Sequence, residues 1–89
     1  MKKIKIIKIS AIWCGACLIA DKAWHKLKEN YDFEAVELDY DMNEEEVAKF
    51  NAKTILPDFI FLVEDQEVDR LVGEVSYEEL ESKLLEVSE

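Results

Sequence analysis

Both cysteines of this 89-residue chain lie in one pentapeptide, Trp13-Cys14-Gly15-Ala16-Cys17, where an apolar strand pattern gives way to a helical one. That junction constrains the fold more than any other feature. Upstream, Ile4, Ile6, Ile7 and Ile9 are β-branched and apolar on both parities, which predicts a central strand covered on both faces. Downstream, Cys17, Ala20, Trp24, Leu27 and Tyr31 recur at spacings of three and four and predict one helical stripe. Asp21, Lys22, Lys26 and Lys28 fall off the stripe and are expected to face water. A helix starting at Cys14 or Gly15 brings free N–H groups and the positive end of the macrodipole to Cys14, where they favour a thiolate. Cys14 is therefore the expected nucleophile. Cys17, one turn further on the same side, is near enough to close a disulfide without moving the backbone. Gly15 is expected to keep the turn open, and Trp13 to shield one flank of the pair.

Length and composition narrow the chemistry. A chain of this size predicts a single domain over residues 1–89 with one modest core. Two cysteines in a C-x-x-C arrangement are not a disulfide scaffold, so a redox or a metal role remains. A zinc site needs four ligands, and the chain offers the two cysteines plus His25, which lies too far along the helix to reach them. Metal would require dimerisation, so none is expected. Residues 1–30 carry a local charge of +5 and residues 31–89 one of −15, for −10 in all. Such an acidic chain repels phosphates and is a poor ligand for nucleic acid. Lys5 and Lys8 interrupt the N-terminal apolar run and no small-residue cleavage site follows, so secretion is not expected. No apolar stretch is long enough for a bilayer span. A reducing cytoplasm is the default compartment, and a monomer is the expected form.

The remaining elements alternate. Phe33 to Tyr40 is rich in aromatic and β-branched residues and predicts a second strand. Asn43 with Glu46 has capping-box spacing, with Met42 and Val47 as its hydrophobic staple, for a helix ending near Phe50 or Asn51. Lys53 to Leu56 leads to Pro57, Asp58 to Val63 predicts a third strand, and Glu64 to Glu67 a turn without the usual glycine. Val68 to Val72 predicts an antiparallel fourth strand, broken by Gly73. Ser76 with Glu79, stapled by Val75 and Leu80, opens a last helix whose apolar face is Tyr77, Leu80, Leu84 and Val87. The order β-α-β-α-β-β-α predicts an α/β fold: a four-stranded mixed sheet with helices on both faces.

Three features carry a resemblance to the thioredoxin family: Trp13-Cys14-Gly15-Ala16-Cys17, Pro57 just before a β-rich run, and Gly73 after the following strand. The likeness covers nearly the whole chain and implies a thioredoxin-like fold. It implies that Pro57 is cis and faces the dithiol. It further implies a thiol–disulfide oxidoreductase that reduces protein disulfides, with Cys14 attacking, Cys17 resolving and no bound cofactor beyond the Cys14–Cys17 disulfide. Trp13, Gly15, Ala16, Leu56, Pro57 and Gly73 would line the surface on which a substrate peptide rests, the Leu56 backbone pairing with it as an added strand would. A thioredoxin reductase-like protein would supply electrons. A glutaredoxin is a weaker match, because its Cys-Pro-Tyr-Cys pair and glycine-rich glutathione segment are absent. A different class of function is a thioredoxin-like binding module whose cysteines switch its affinity for a protein partner.

The chain departs from the family pattern at several places. Ala16 replaces the proline between the cysteines, Lys22 stands where many thioredoxins have a helix-kinking proline, and Asp58 follows Pro57 where a small or hydroxyl residue is common. The family also keeps a buried Asp six residues before the first cysteine, paired with a Lys on the neighbouring strand. The matching positions here are Lys8 and Glu37, with the charges exchanged. Lys8 shares parity with Ile4 and Ile6 and is expected to point inward, with Glu37 as its partner in assisting deprotonation of Cys17. The competing expectation has Lys8 snorkelling to the sheet end and Glu37 solvated.

Overall fold

The computed structural model describes residues 3–52 and 55–89. Its elements are β1 (Ile4–Ser10), α1 (Gly15–Asn30), β2 (Glu34–Asp39), α2 (Glu44–Lys49), β3 (Asp58–Val63), β4 (Gln66–Val72) and α3 (Tyr77–Ser88). The strand order is β2-β1-β3-β4. β1 runs parallel to β2 and antiparallel to β3, and β4 closes the hairpin with β3. This is the expected α/β arrangement. The expected connection from Lys53 begins with two residues, Lys53 and Thr54, that lie outside the described set, as do Met1 and Lys2.

Strand parity sorts the core into two layers. Ile6, Phe59 and Phe61 join Ala20, Trp24 and Leu27 of α1 and Leu80 and Leu84 of α3 on one face of the sheet. Ile7, Ile9, Ile60 and Leu62 join Val47 of α2 on the other. β1 and β3 are buried on both faces, hence the continuous apolar runs in their sequences. Trp24 anchors the first layer, its ring 5.8 Å from Phe33 and 5.6 Å from Phe59.

Three local expectations are corrected. At α2 the Asn43 side chain makes no cap bond to the helix; its Oδ1 accepts from the Asp39 N–H at 2.9 Å and closes the loop behind β2. Met42 is 79 % exposed and staples nothing. The six-residue helix is held through buried Val47 rather than by its cap. In the hairpin, β4 begins at Gln66, two residues earlier than expected, and the turn is Glu64-Asp65, with φ values of 52° and 67°. Both residues are left-handed, as a two-residue hairpin of the primed type demands. Side-chain contacts offset that strain without a glycine: Glu64 Oε1 accepts from the Lys3 N–H at 2.9 Å, and Asp65 takes the Lys5 ammonium at 3.3 Å. By contrast, α3 has the expected capping box, with Glu79 N–H donating to Ser76 Oγ at 3.1 Å and the Glu79 carboxylate returning to Ser76.

Candidate functional site

β1 ends against the start of α1, and the chain turns there through Ala11-Ile12-Trp13, closed by Cys14 N–H donating to the Ala11 carbonyl at 3.1 Å. Cys14 is the N-cap of α1, with extended backbone. Its sulfur takes the place a Ser or Asp oxygen usually fills, accepting from the Cys17 N–H at 3.2 Å. Both thiols are reduced and both are buried, Cys17 the more deeply. The Cys14 thiol also donates to the Leu56 carbonyl, 3.5 Å away.

The loop that carries Leu56 completes the site. The Leu56–Pro57 peptide is cis. Pro57 is buried, and its carbonyl accepts from the Gly73 N–H at 2.8 Å, so the break after β4 is laced to the loop beside the dithiol. Gly73 has φ +90°, a conformation side chains rarely adopt, which accounts for glycine there. Gly15 is different. It is the first residue of α1, has no positive φ, and nothing lies within 4 Å of where its Cβ would be, so neither strain nor crowding requires glycine at the turn. What its missing side chain leaves is open space beside Cys14. Ala16 packs partly against the apolar cluster that contains both cysteines and Leu56.

Trp13 remains 57 % exposed. Its indole N–H donates to Asp41 Oδ2 at 2.6 Å and its ring meets Tyr40 edge-on at 6.1 Å, so its orientation comes from the loop after β2. Neither Asp41 nor Tyr40 carries a local sequence signal for this contact.

The Lys8–Glu37 pairing is overturned. The two are register partners across the parallel β1–β2 pair, yet their side chains part. Lys8 is 4 % exposed and its ammonium pairs with Asp21 of α1, while Glu37 is exposed and pairs with Lys28 of α1 at 3.2 Å. α1 crosses this face of the sheet and offers each charge a nearer partner than the neighbouring strand does. Asp21, expected to face water, is half-buried over Lys8. The signal that could have found it is its position four residues after Cys17, one turn along the same face.

Burial pushes the Cys17 thiol up to about 12; the Cys14 thiol adds to the rise, while the Ala11 backbone and the Lys8 ammonium act against it. Behind the loop, Asp58 is 1 % exposed, and burial raises its carboxyl above the usual range despite Arg70. Among the described residues no three His, Cys, Asp or Glu side chains converge as a metal cage requires. His25 is exposed on α1.

The arrangement has known counterparts. A family model described as Thioredoxin matches residues 1–86. The chain is 31 % identical over 83 residues to Thioredoxin H2 and 37 % identical over 83 residues to Thioredoxin H8, both of Arabidopsis thaliana. These matches cover 92 % of this chain but only 61 % and 55 % of those two proteins. A reduced thioredoxin pre-protein of Schistosoma mansoni superimposes with a TM-score of 0.87 at 30 % identity, covering 94 % of this chain and 78 % of that one. A dithiol at a helix start facing a cis-proline loop, carried on this sheet and matched along nearly the whole sequence, means that the chain belongs to the thioredoxin family.

Proposed function

We propose that this protein reduces protein disulfides through Cys14 and Cys17. The observation that carries the proposal is the placing of the Cys14 sulfur between the Cys17 N–H at 3.2 Å and the Leu56 carbonyl at 3.5 Å. A donor for developing negative charge and a backbone edge for a peptide thus meet at one sulfur. Cys14 thiolate attacks a substrate disulfide: one substrate sulfur joins Cys14 and the other leaves with the electron pair and takes a proton. Cys17 then attacks Cys14, the protein disulfide closes, and the second substrate thiol departs.

Trp13, Gly15, Ala16, Leu56 and Pro57, with Gly73 bonded to the Pro57 carbonyl, form the surface we assign to the substrate. Its Leu56 carbonyl, occupied by the Cys14 thiol in the reduced form, becomes available to the substrate backbone once Cys14 is in the mixed disulfide. A thioredoxin reductase-like electron donor and a reducing, cytoplasmic setting fit a dithiol that must be regenerated after each turnover.

Insulin reduction tests the proposal, with dithiothreitol and then with a flavin- and NADPH-dependent thioredoxin reductase as the electron source. Turnover above the dithiothreitol background, lost in Cys14→Ser, is the expected result. No turnover together with oxidation-dependent binding to a partner protein would favour the redox-switched binding module instead.

A further inference from the structure

Arg70 joins the two ends of the connection that brings Leu56 to the dithiol. From β4 its Nη2 donates at 2.7 Å to the carbonyl of Phe50, the C-cap of α2, where that connection begins. Its Nη1 donates at 3.0 Å to Asp58 Oδ2, at the start of β3, where the connection ends. A third tie runs beside these, from the Gly73 N–H to the Pro57 carbonyl at 2.8 Å. Leu56 is buried in the apolar cluster of the cysteines, but on the β4 side packing gives little support, since a cavity of about 270 Å³ lined by Asn51, Ile55, Asp58, Arg70 and Val72 lies there. Nor does Cys14 hold the connection, because its bond to the Leu56 carbonyl is long, at 3.5 Å, and comes from a weak donor.

The strand is shaped to aim this side chain. β3 and β4 pair with one residue out of step: Phe61 stands opposite Asp69 and Leu62 opposite Glu67, so Val68 is left over as a bulge. Residues three apart on a regular strand point to opposite faces, and the extra residue puts Glu67 and Arg70 on the same one. Glu67 then takes the guanidinium with both oxygens, from Nε at 3.1 Å and from Nη2 at 2.8 Å, which fixes its plane and leaves donors on Nη1 and Nη2 for Asp58 and Phe50. Stability alone does not account for the arrangement. Asp58 is 1 % exposed and its Oδ1 has no partner among the described residues, a cost that an apolar pair would avoid.

We propose that Arg70, aimed by Glu67 across the bulge, is a positioning residue for substrate recognition: by holding Phe50 and Asp58 together it sets the Leu56 carbonyl beside Cys14, where the backbone of a peptide disulfide pairs with it. The inference rests on the exchange reaction and the backbone pairing proposed above. It divides substrates by class. A disulfide within a peptide brings the N–H that this carbonyl accepts, whereas a small disulfide without amides reacts at Cys14 and makes no use of the carbonyl. Lysine at position 70 would keep the charge, but its single ammonium lacks the planar fork that reaches Phe50, Asp58 and Glu67 at once.

Two disulfides test the inference on the pre-reduced protein in single turnover, read by acid quench and mass spectrometry: a cyclic peptide disulfide and hydroxyethyl disulfide. Each takes two electrons from the dithiol and is reduced to thiols as the Cys14–Cys17 disulfide closes. In Arg70→Lys the ratio of the peptide rate constant to the hydroxyethyl one should fall about tenfold, the effect of losing one backbone hydrogen bond. In Glu67→Ala it should fall in the same direction by less. The peptide N-methylated beside its attacked cysteine should lose about tenfold on the unaltered protein and nothing further on Arg70→Lys. An unchanged ratio, whether both rates drop alike or neither does, would overturn the inference and leave Arg70 a structural residue. So would N-methylation that has no effect on the unaltered protein, or an equal effect on Arg70→Lys. Should Arg70→Lys fail to fold, Glu67→Ala, at an exposed position, decides alone, and an unchanged ratio there overturns the inference. Failure of the peptide disulfide to oxidise the unaltered protein would instead refute the exchange reaction itself.

Discussion

Arg70 on β4 donates from Nη1 to Asp58 Oδ2 at 3.0 Å, which ties the edge strand to the residue that follows cis-Pro57. The same guanidinium reaches the Phe50 carbonyl at 2.7 Å and Glu67 Oε1 at 2.8 Å, so the C-cap of α2, the start of β3 and β4 share one fork of donors. Asp58 is otherwise poorly served, since its buried Oδ1 has no partner. Removing the cation would leave a buried carboxylate alone. Arg70→Met should therefore cost about 2 to 3 kcal/mol, below the range for fully buried pairs because Arg70 is partly exposed. Urea unfolding measures this. Adding Asp58→Asn should recover part of the loss, and a strictly additive double mutant would show that the two residues do not act together.

Asp58 also predicts a pH dependence. Burial raises its folded-state value above that of the unfolded chain, about 3.9, so the folded protein holds this proton the more tightly. Its contribution to stability is then greatest below the unfolded value and declines as pH rises through the folded one. Asp58→Asn does not titrate there. The stability of the unaltered protein relative to Asp58→Asn should fall from acid to neutral pH in parallel urea titrations; a relative gain over that range would reverse the sign.

The cysteines should differ in reactivity. Cys17 is the deeper of the two and its thiol is pushed up to about 12, chiefly by burial, so little of it is thiolate at neutral pH. Limiting iodoacetamide should label Cys14 at least about tenfold faster, with Cys17 modified only after denaturation. Peptide mass spectrometry reads the ratio. Preferential labelling of Cys17 would contradict the roles proposed for the pair.

Much of the site could be read before any coordinates. The junction of an isoleucine-rich strand with a helical stripe located Cys14 at the start of α1, and the pattern around Ser76 and Glu79 located α3. Such signals lie within a few neighbouring residues, because a helix start or a strand's parity is a local matter. Asn43 shows that a local pattern can have two outcomes: the same spacing as at Ser76 precedes α2, but a backbone donor four residues earlier, at Asp39, competes for the side chain and wins. Locality fails at the Glu64-Asp65 turn, whose left-handed residues are held by Lys3, just before β1, and by Lys5 of β1, both far away in sequence.

Element order, the two-layer core and the identity of the dithiol were thus determined by the sequence alone, through periodicities of two and of three to four that any window of the chain displays. Only the tertiary structure decided which charge meets which. Lys8 and Glu37 are aligned across parallel strands, but the crossing of α1 over the sheet gives Lys8 to Asp21 and Glu37 to Lys28. The loop after β2 likewise gives Trp13 to Asp41, and the pairing of β3 with β4 gives Asp58 to Arg70. Long side chains reach the nearest opposite charge in space, and that distance depends on how a helix is set on a sheet, which no spacing along the chain records.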